Sequence, residues 1–239
     1  MKKTSLLFVL VVILMNIACS QAQVSGWLAA FNTIRTGKST SIHADVQWRS
    51  GDNVAYTQTL LLRTGLNYHL NKRSTITAGY AFIHNYRSIS DVDGYLPEHR
   101  IWEQYLYAHK VDRISISHRF RLEQRFLPAG VVDNDQISMD GSLFANRFRY
   151  FTRAVLPLQK GDSFDKGLFA ALQNEVLLNI GNKQHVNGKT FDQNRFYIAA
   201  GYRLNKKFDL EAGYLNQFVE GRTTGSRNHV AQIASYLRL

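Results

Sequence analysis

Six arginines stand two or four residues apart in two successive stretches of the sequence. They are Arg119, Arg121 and Arg125 in the first stretch and Arg147, Arg149 and Arg153 in the second. Since successive side chains of a β-strand point to opposite faces, this spacing places each trio on one face of a strand. Guanidinium groups in such numbers bind carboxylates and phosphates, and rings of arginine select anions in pores.

Three glutamates are the predicted counter-ions of these arginines: Glu103, Glu123 and Glu175. A turn at residues 111–113 would set Glu103 opposite Arg121 on the neighbouring strand. Because charges removed from water need partners, we favour a structural interpretation in which Arg/Glu pairs fill a narrow lumen. The alternative is a basic strip that selects anions.

No other group of residues forms a catalytic motif. Ser117 and His118 are neighbours in sequence, so their side chains would point to opposite faces of a strand and could not act together. His43 and His69 lie on polar strand faces, where hydrogen bonding is the expected role. The acidic pairs near 91–93 and 133–135 lack a full calcium-ligand pattern. We therefore expect no catalytic residue, no bound metal and no cofactor.

The stretch 193–218 shows most clearly which elements carry these residues. Apolar residues alternate with polar or small ones on both sides of a turn at 205–207. Alternation of this length is typical of β-strands. Folding about the turn sets Tyr202 opposite Leu210 and Arg203 opposite Asp209. Apolar side chains therefore pair on one face, and opposite charges pair on the other. The stretch predicts a long antiparallel hairpin with one apolar and one polar face.

The same pattern recurs along the chain and predicts a meander of hairpins. Tight turns near 37, 72, 112, 161 and 206 alternate with longer connections, which include 87–98 and 127–141. A two-residue turn at Gly37-Lys38 would set Trp27 opposite Trp48 on an apolar face. The domain from residue 23 to 239 is therefore predicted to be all-β.

The apolar faces are predicted to point outward. The polar faces combine arginine with glycine, threonine and alanine, which suits a crowded lumen better than an open surface. Aromatic girdles at two membrane interfaces are suggested by Tyr68, Tyr80, Tyr202, Tyr214, Trp27, Trp48 and Trp102. The fold class is thus an antiparallel up-and-down transmembrane β-barrel of about ten to twelve strands.

Specific residues follow from this assignment of faces. Leu62, Phe82, Ile198 and Leu210 are predicted to face lipid, and Arg63, Arg203 and Glu211 to face the lumen. Counting strands back from Leu239 leaves 27–35 as an eleventh strand, whereas outer-membrane barrels usually have an even number. Either a strand has been missed, or this segment does not cross fully, or the count is odd.

The first 22 residues have the features of a secretory signal peptide. Lys2 and Lys3 precede an apolar run from Leu6 to Ile17, and Ser20-Gln21-Ala22 suits cleavage before Gln23. The alternative is a lipoprotein signal with Cys19 as the lipidated residue. Cleavage after Ala22 would remove the only cysteine, and with it disulfides, thiol nucleophiles and thiolate metal sites.

The charge of the chain is strongly basic but does not indicate a nucleic-acid partner. The net charge of +11 becomes +9 (11 − 2) without Lys2 and Lys3. The remaining basic residues are spread along alternating strand faces and turns rather than in runs, and export argues against nucleic acid. The expected location is the outer membrane, with membrane lipid, lipopolysaccharide and the barrel-assembly machinery as partners; the sequence does not identify a small-molecule ligand.

The chain resembles a family of uncharacterised secreted or outer-membrane β-barrels of Bacteroidota, catalogued as domain of unknown function 2490. The resemblance rests on Trp27, the segments 43–49, 97–100, 119–126 and 146–150, and the hairpin Asn194–Gln217. It implies a barrel and an envelope location but no activity.

Three functions remain open at this point. The first is a narrow channel or structural barrel of the envelope with an Arg/Glu-filled lumen. The second is a barrel enzyme acting on lipid or lipopolysaccharide, with catalytic groups at its rim. The third is a soluble exported barrel that binds a ligand, in which the apolar faces would point inward.

Overall fold

The computed structural model describes residues 22–159 and 164–239. Within these ranges the chain forms eleven β-strands and one short 3₁₀ turn, Asp52–Val54. The strands are β1 (Ala22–Arg35), β2 (Thr40–Gly51), β3 (Tyr56–His69), β4 (Ser74–Ile89), β5 (Val92–Val111), β6 (Ile114–Asp133), β7 (Gln136–Pro157), β8 (Gly167–Ile180), β9 (Phe191–Asn205), β10 (Phe208–Val219) and β11 (Ser226–Arg238). None of the described residues belongs to a helix long and apolar enough to cross a membrane. The predicted signal peptide lies outside the described residues except for Ala22.

The strands close into a single barrel. Each strand pairs antiparallel with the next, and β1 pairs in parallel with β11 from Ala22 opposite Arg227 to Thr33 opposite Arg238. The prediction of a closed all-β barrel of about ten to twelve strands is confirmed. Because β1 is a full strand of 14 residues, the odd count is the correct one of the three explanations, and it makes one seam of the meander parallel.

Two predicted loops are instead strand. β4 and β5 continue to a turn at Ser90 and Asp91, whose φ angles are 50° and 64°, and β6 and β7 to a turn at Asn134 and Asp135, at 47° and 59°. Two consecutive residues with positive φ form the tight hairpin turn that Asn and Asp tolerate best. These hairpins lengthen one end of the barrel, here called the extended end. The opposite end, with the connections at 36–39, 70–73, 112–113 and 206–207, is called the turn end.

The register is as predicted in one hairpin and shifted in another. Arg203 lies opposite Asp209 and Tyr202 opposite Leu210, as expected. In the first hairpin, however, Trp27 lies opposite Arg49 instead of Trp48. The connection there is the four-residue segment 36–39 rather than a two-residue turn. A slip of one residue moves every side chain of a strand to the opposite face of the sheet. Trp27 and Phe31 therefore face the lumen.

The two faces of the barrel have the predicted polarity. Leu62, Ile198 and Leu210 are 41%, 54% and 43% exposed on the outer face, whereas Arg63 and Glu211 are buried. In a closed single-layer barrel, buried side chains can only be those of the lumen. Phe82 pairs with Leu62 on the outer face, and Arg203 donates to the buried Asp209. The assignment of faces made from alternation therefore agrees with the structure in β3, β4, β9 and β10.

Two of the seven aromatic residues assigned to girdles do not lie on the outer face. Tyr68, Tyr80, Tyr202 and Tyr214 lie exposed on the outer face, but Trp27 and Trp102 are buried in the lumen, so assigning these two tryptophans to a girdle was wrong.

Trp102 fills one side of the lumen against two glycines. Its indole lies over Gly65 and Gly79, which pair with each other on β3 and β4. The guanidinium of Arg121 covers the ring, with its carbon 4.3 Å from the ring centroid. Glycine within a strand commonly marks a site where another group approaches the backbone closely. Here the missing side chains make room for one of the two tryptophans buried in the lumen.

A methyl group at Gly79 should therefore destabilise the barrel. A Cβ there would overlap the carbonyl oxygen of Thr64 and the indole of Trp102. We expect Gly79→Ala to lower the free energy of unfolding in detergent by about 1–3 kcal/mol, the usual cost of overpacking. The control is Gly26→Ala, whose Cβ would make only ordinary contacts of 3.6 Å with Ser50 and Val54. Equal stability of the two variants would contradict this role of Gly79.

Candidate functional site: an arginine-lined lumen

The six arginines identified in the sequence all point into the lumen from β6 and β7. Arg121 lies directly opposite Arg149 on the neighbouring strand, and both are buried. Like charges in this position repel each other. The arrangement therefore depends on carboxylates that reach the guanidinium groups from nearby positions.

Glu123 is the central carboxylate. It accepts hydrogen bonds from Arg147 at 2.6 Å and from Arg149 at 2.5 Å. Arg100 and Arg121 approach it at 3.7 and 3.9 Å. The side chain is 1% exposed, so these contacts are made away from water, where charge–charge interactions are strong.

Glu175, on β8, extends the network across the next strands. It accepts hydrogen bonds from Arg149 and Arg119, both at 2.7 Å, and Arg195 lies 3.5 Å away. Arg149 thus bridges Glu123 and Glu175. Of the nine residues predicted from the sequence, these two glutamates contact four of the arginines: Arg119, Arg121, Arg147 and Arg149. Arg125 pairs instead with Glu98, and Arg153 with Glu211 on β10.

The ninth predicted residue, Glu103, does not join the network. Its carboxylate lies on the outer face, where Gln124 donates a hydrogen bond of 3.1 Å. The observed register sets Glu103 opposite Leu122 and Gln104 opposite Arg121, one residue from the predicted pairing. Gln104 consequently takes the predicted place of Glu103 and accepts from Arg121 at 2.7 Å.

Other carboxylates of the lumen were missed by the sequence argument. Glu98 accepts from Arg100 and Arg125 at 2.6 and 2.7 Å. Asp45 accepts from Arg63 at 2.7 Å and contacts His43 at 2.8 Å. The signal for Glu98 was present, since Glu98 and Arg100 alternate on one face, but the segment was taken as a loop.

A cavity of about 520 Å³ follows the lumen beside these ion pairs. It is lined by eleven arginines and two glutamates: Arg49, Arg63, Arg87, Arg100, Arg119, Arg125, Arg147, Arg149, Arg153, Arg195, Arg238, Glu98 and Glu175. Its wall reaches from Arg238, at the turn end, to Arg87, toward the extended end. The cavity therefore extends along the lumen and is strongly basic.

A serine–histidine pair also occurs, but its geometry does not support catalysis. Ser41 Oγ lies 3.0 Å from Nε2 of His69, whose Nδ1 lies 3.0 Å from the hydroxyl of Thr75. A nucleophile pair needs a third group that orients and stabilises the charged base, usually a carboxylate. Ser41 is 1% exposed, so a substrate could not reach it. Within the described ranges no cluster of three metal-ligating side chains occurs either.

Comparison with known proteins identifies the family. A family model described as "Protein of unknown function (DUF2490)" matches residues 24–229. The chain belongs to the DUF2490 family. It is also 23% identical over 196 residues to an uncharacterized protein of Methylorubrum extorquens, a match that covers 82% of this chain and 79% of the relative. No solved structure gives a significant match. Membership of DUF2490 agrees with the resemblance seen in the sequence, while the Bacteroidota and outer-membrane details of that resemblance stay predictions.

Removing Glu123 should cost more stability than removing a neighbouring arginine. Glu123→Gln would leave Arg147 and Arg149 without their shared carboxylate, and breaking a buried pair in this way costs about 3–5 kcal/mol. Arg121→Gln loses its stacking on Trp102, worth roughly 0.5–2 kcal/mol, but relieves repulsion with Arg149. Urea unfolding in detergent measures the loss of stability in each variant. A larger loss for Arg121→Gln would show that charge balance does not hold this part of the lumen together.

Proposed function

We propose that the protein is a transmembrane β-barrel of the outer membrane whose lumen is a narrow, anion-selective passage. The membrane part of this proposal is supported by the outer face. Exposed apolar side chains cover it on strand after strand, among them Leu28, Val46, Leu62, Leu66, Ile101, Leu122, Leu172, Ile198, Leu210 and Ile233. A band of this extent is far larger than the apolar patches of soluble monomers. Outer-membrane lipid and lipopolysaccharide would contact it, and the barrel-assembly machinery would insert the chain.

The soluble alternative conflicts with the burial of charge. A soluble barrel would keep its apolar face inside, whereas here the buried face carries Arg63, Glu123 and Arg147 and the apolar face is outside. The enzyme alternative has no supporting geometry in the described part of the chain. The polarity of the two faces therefore favours a barrel whose surroundings are lipid.

Leu62→Arg tests the membrane environment of the outer face. If Leu62 lies near the bilayer midplane, a guanidinium there should cost about 2–4 kcal/mol of barrel stability and reduce assembly. The control is Val132→Arg, at the tip of the β6–β7 hairpin, where Val132 is 36% exposed and the cost should be about 0–1 kcal/mol. The measurements are outer-membrane fractionation, heat-modifiable gel migration and unfolding in bilayers. Recovery of the wild-type chain as a soluble periplasmic monomer would end the membrane proposal.

The composition of the cavity wall is the observation that supports the proposed anion selectivity. Eleven arginines face the cavity against two glutamates. The carboxylates Asp45, Glu123 and Glu211 hold lining arginines but do not themselves line the cavity. An ion in the passage therefore meets guanidinium groups first, as in anion pores. The ion pairs keep their structural role, because they fix the lining arginines in place.

Arg238 provides a test of selectivity at the turn end. It lines the cavity and contacts Asp209 at 2.8 Å, and Asp209 also keeps Arg203 as a partner. Arg238→Gln should lower the preference for chloride over potassium, measured as the reversal potential of planar bilayers in a KCl gradient. Arg35→Gln is the control, because Arg35 lies at the same end but outside the cavity lining. A wild-type barrel that is electrically silent or prefers cations would contradict the proposed passage.

A further inference from the structure

The arginines of the cavity wall differ in the groups that hold them. Arg63, Arg125 and Arg149 donate to carboxylates at hydrogen-bond distance. Arg49 and Arg195 are instead held by glutamines: Arg49 donates to Gln47 at 2.7 Å and Arg195 to Gln193 at 2.9 Å. A glutamine carbonyl positions a guanidinium without neutralising its charge. The positive charge of these two arginines is therefore compensated less than that of Arg63, Arg125 and Arg149.

Both of these guanidinium groups stack on the same tryptophan. The guanidinium carbon of Arg49 lies 4.2 Å from the ring centroid of Trp27, and that of Arg195 lies 5.5 Å away. Trp27 is 7% exposed and lines the cavity with both arginines. The indole brings together two cations from β2 and β9, which are not neighbours in the barrel. Two like charges at one ring are costly unless an anion joins them.

Two hydrogen-bond donors beside Trp27 also lack acceptors among the described residues. The Nε–H groups of Arg49 and Arg195 are buried, and neither has an acceptor among the residues that the structure describes. Among the described residues, the one carboxylate within 4 Å of either guanidinium is Glu175, which lies 3.5 Å from Arg195 and is already shared with Arg119 and Arg149. A buried donor without an acceptor needs an additional partner, and these two donors belong to the arginines that share Trp27.

We infer that Trp27, Arg49 and Arg195 form a binding site for an oxyanion, such as a phosphate or a carboxylate. The planar guanidinium matches two oxygens of such an ion, which a spherical halide cannot offer. Gln47 and Gln193 set the orientation of the two arginines, and the indole fixes their separation. The site rests on the proposed function in that it places a bound anion within the same passage.

The test is binding of inorganic phosphate to the purified full-length barrel in detergent. Isothermal titration and tryptophan fluorescence should show saturable binding, since phosphate would contact both arginines that touch Trp27. Arg49→Gln and Arg195→Gln should each weaken it at least tenfold. Arg203→Gln should leave it unchanged, because Arg203 lies outside the cavity lining and pairs with Asp209. Acetate should bind measurably, and chloride at equal ionic strength should not compete.

Gln193→Glu separates the charge of the site from its shape. Gln193 only accepts hydrogen bonds, from Arg195 and from Gln217 at 3.0 Å, so a carboxylate fits in its place. This change should abolish phosphate binding while the barrel stays folded. The new carboxylate would compensate the charge of Arg195 without moving its guanidinium group. Gln47 is unsuitable for the same change, since its amide donates to Asp45 at 3.0 Å.

The outcomes separate this site from the proposed passage. Absence of saturable phosphate binding in a barrel that conducts anions selectively would overturn the site alone. Phosphate binding that is lost in Arg49→Gln and Gln193→Glu would support the site even in a barrel that does not conduct. Binding unchanged in both variants, or chloride binding as tightly as phosphate, would overturn the oxyanion assignment.

Discussion

Compensation of buried guanidinium charge is the constraint on which this barrel depends. A buried ion costs several kcal/mol unless its partners and hydrogen bonds are nearly ideal, and β6 and β7 set Arg121 directly against Arg149. Glu123 and Glu175 make this tolerable because each collects several arginines from different strands. Arg149 contacts both acids, so the two centres form one connected structure. The observed register of β6, β7 and β8 brings these acids to the guanidinium groups.

The same compensation explains why the cavity is basic. The acids lie close to the wall of the barrel, where short carboxylate side chains reach arginines on adjacent strands, and the longer guanidinium groups extend inward. Asp45 and Glu123 are thus hidden behind Arg63 and Arg147, which line the cavity. Structural ion pairs and a basic cavity wall are therefore not alternatives in this lumen. One arrangement produces both, because the basic partner of each pair is the longer one.

The sequence predicts the barrel well and the partners in its lumen less well. Alternation assigns the faces of β3, β4, β9 and β10 and the pairing of Arg203 with Asp209, because these depend only on a period of two and one tight turn. Where the length of a turn was misjudged, as in the turns that follow the strands of Trp27 and Glu103, a slip of one residue changed the face or the partner. Contacts across an intervening strand, such as that of Arg119 on β6 with Glu175 on β8, depend on the reach of the side chains within the closed barrel, which no local pattern records.

The odd strand number has a consequence for how the lumen is held closed. In an antiparallel meander, an odd count makes the first and last strands parallel, and parallel ladders are slightly less stable per residue. Luminal side chains reinforce this seam from inside: Phe31 stacks on Tyr236 at 5.1 Å, and Ser25 donates to Asn228 at 2.9 Å. Trp27, also on β1, lies under guanidinium groups from β2 and β9. The first strand is therefore held by its luminal face as well as by its backbone, and an anion that joined those two guanidinium groups would tighten the same contact that closes the barrel.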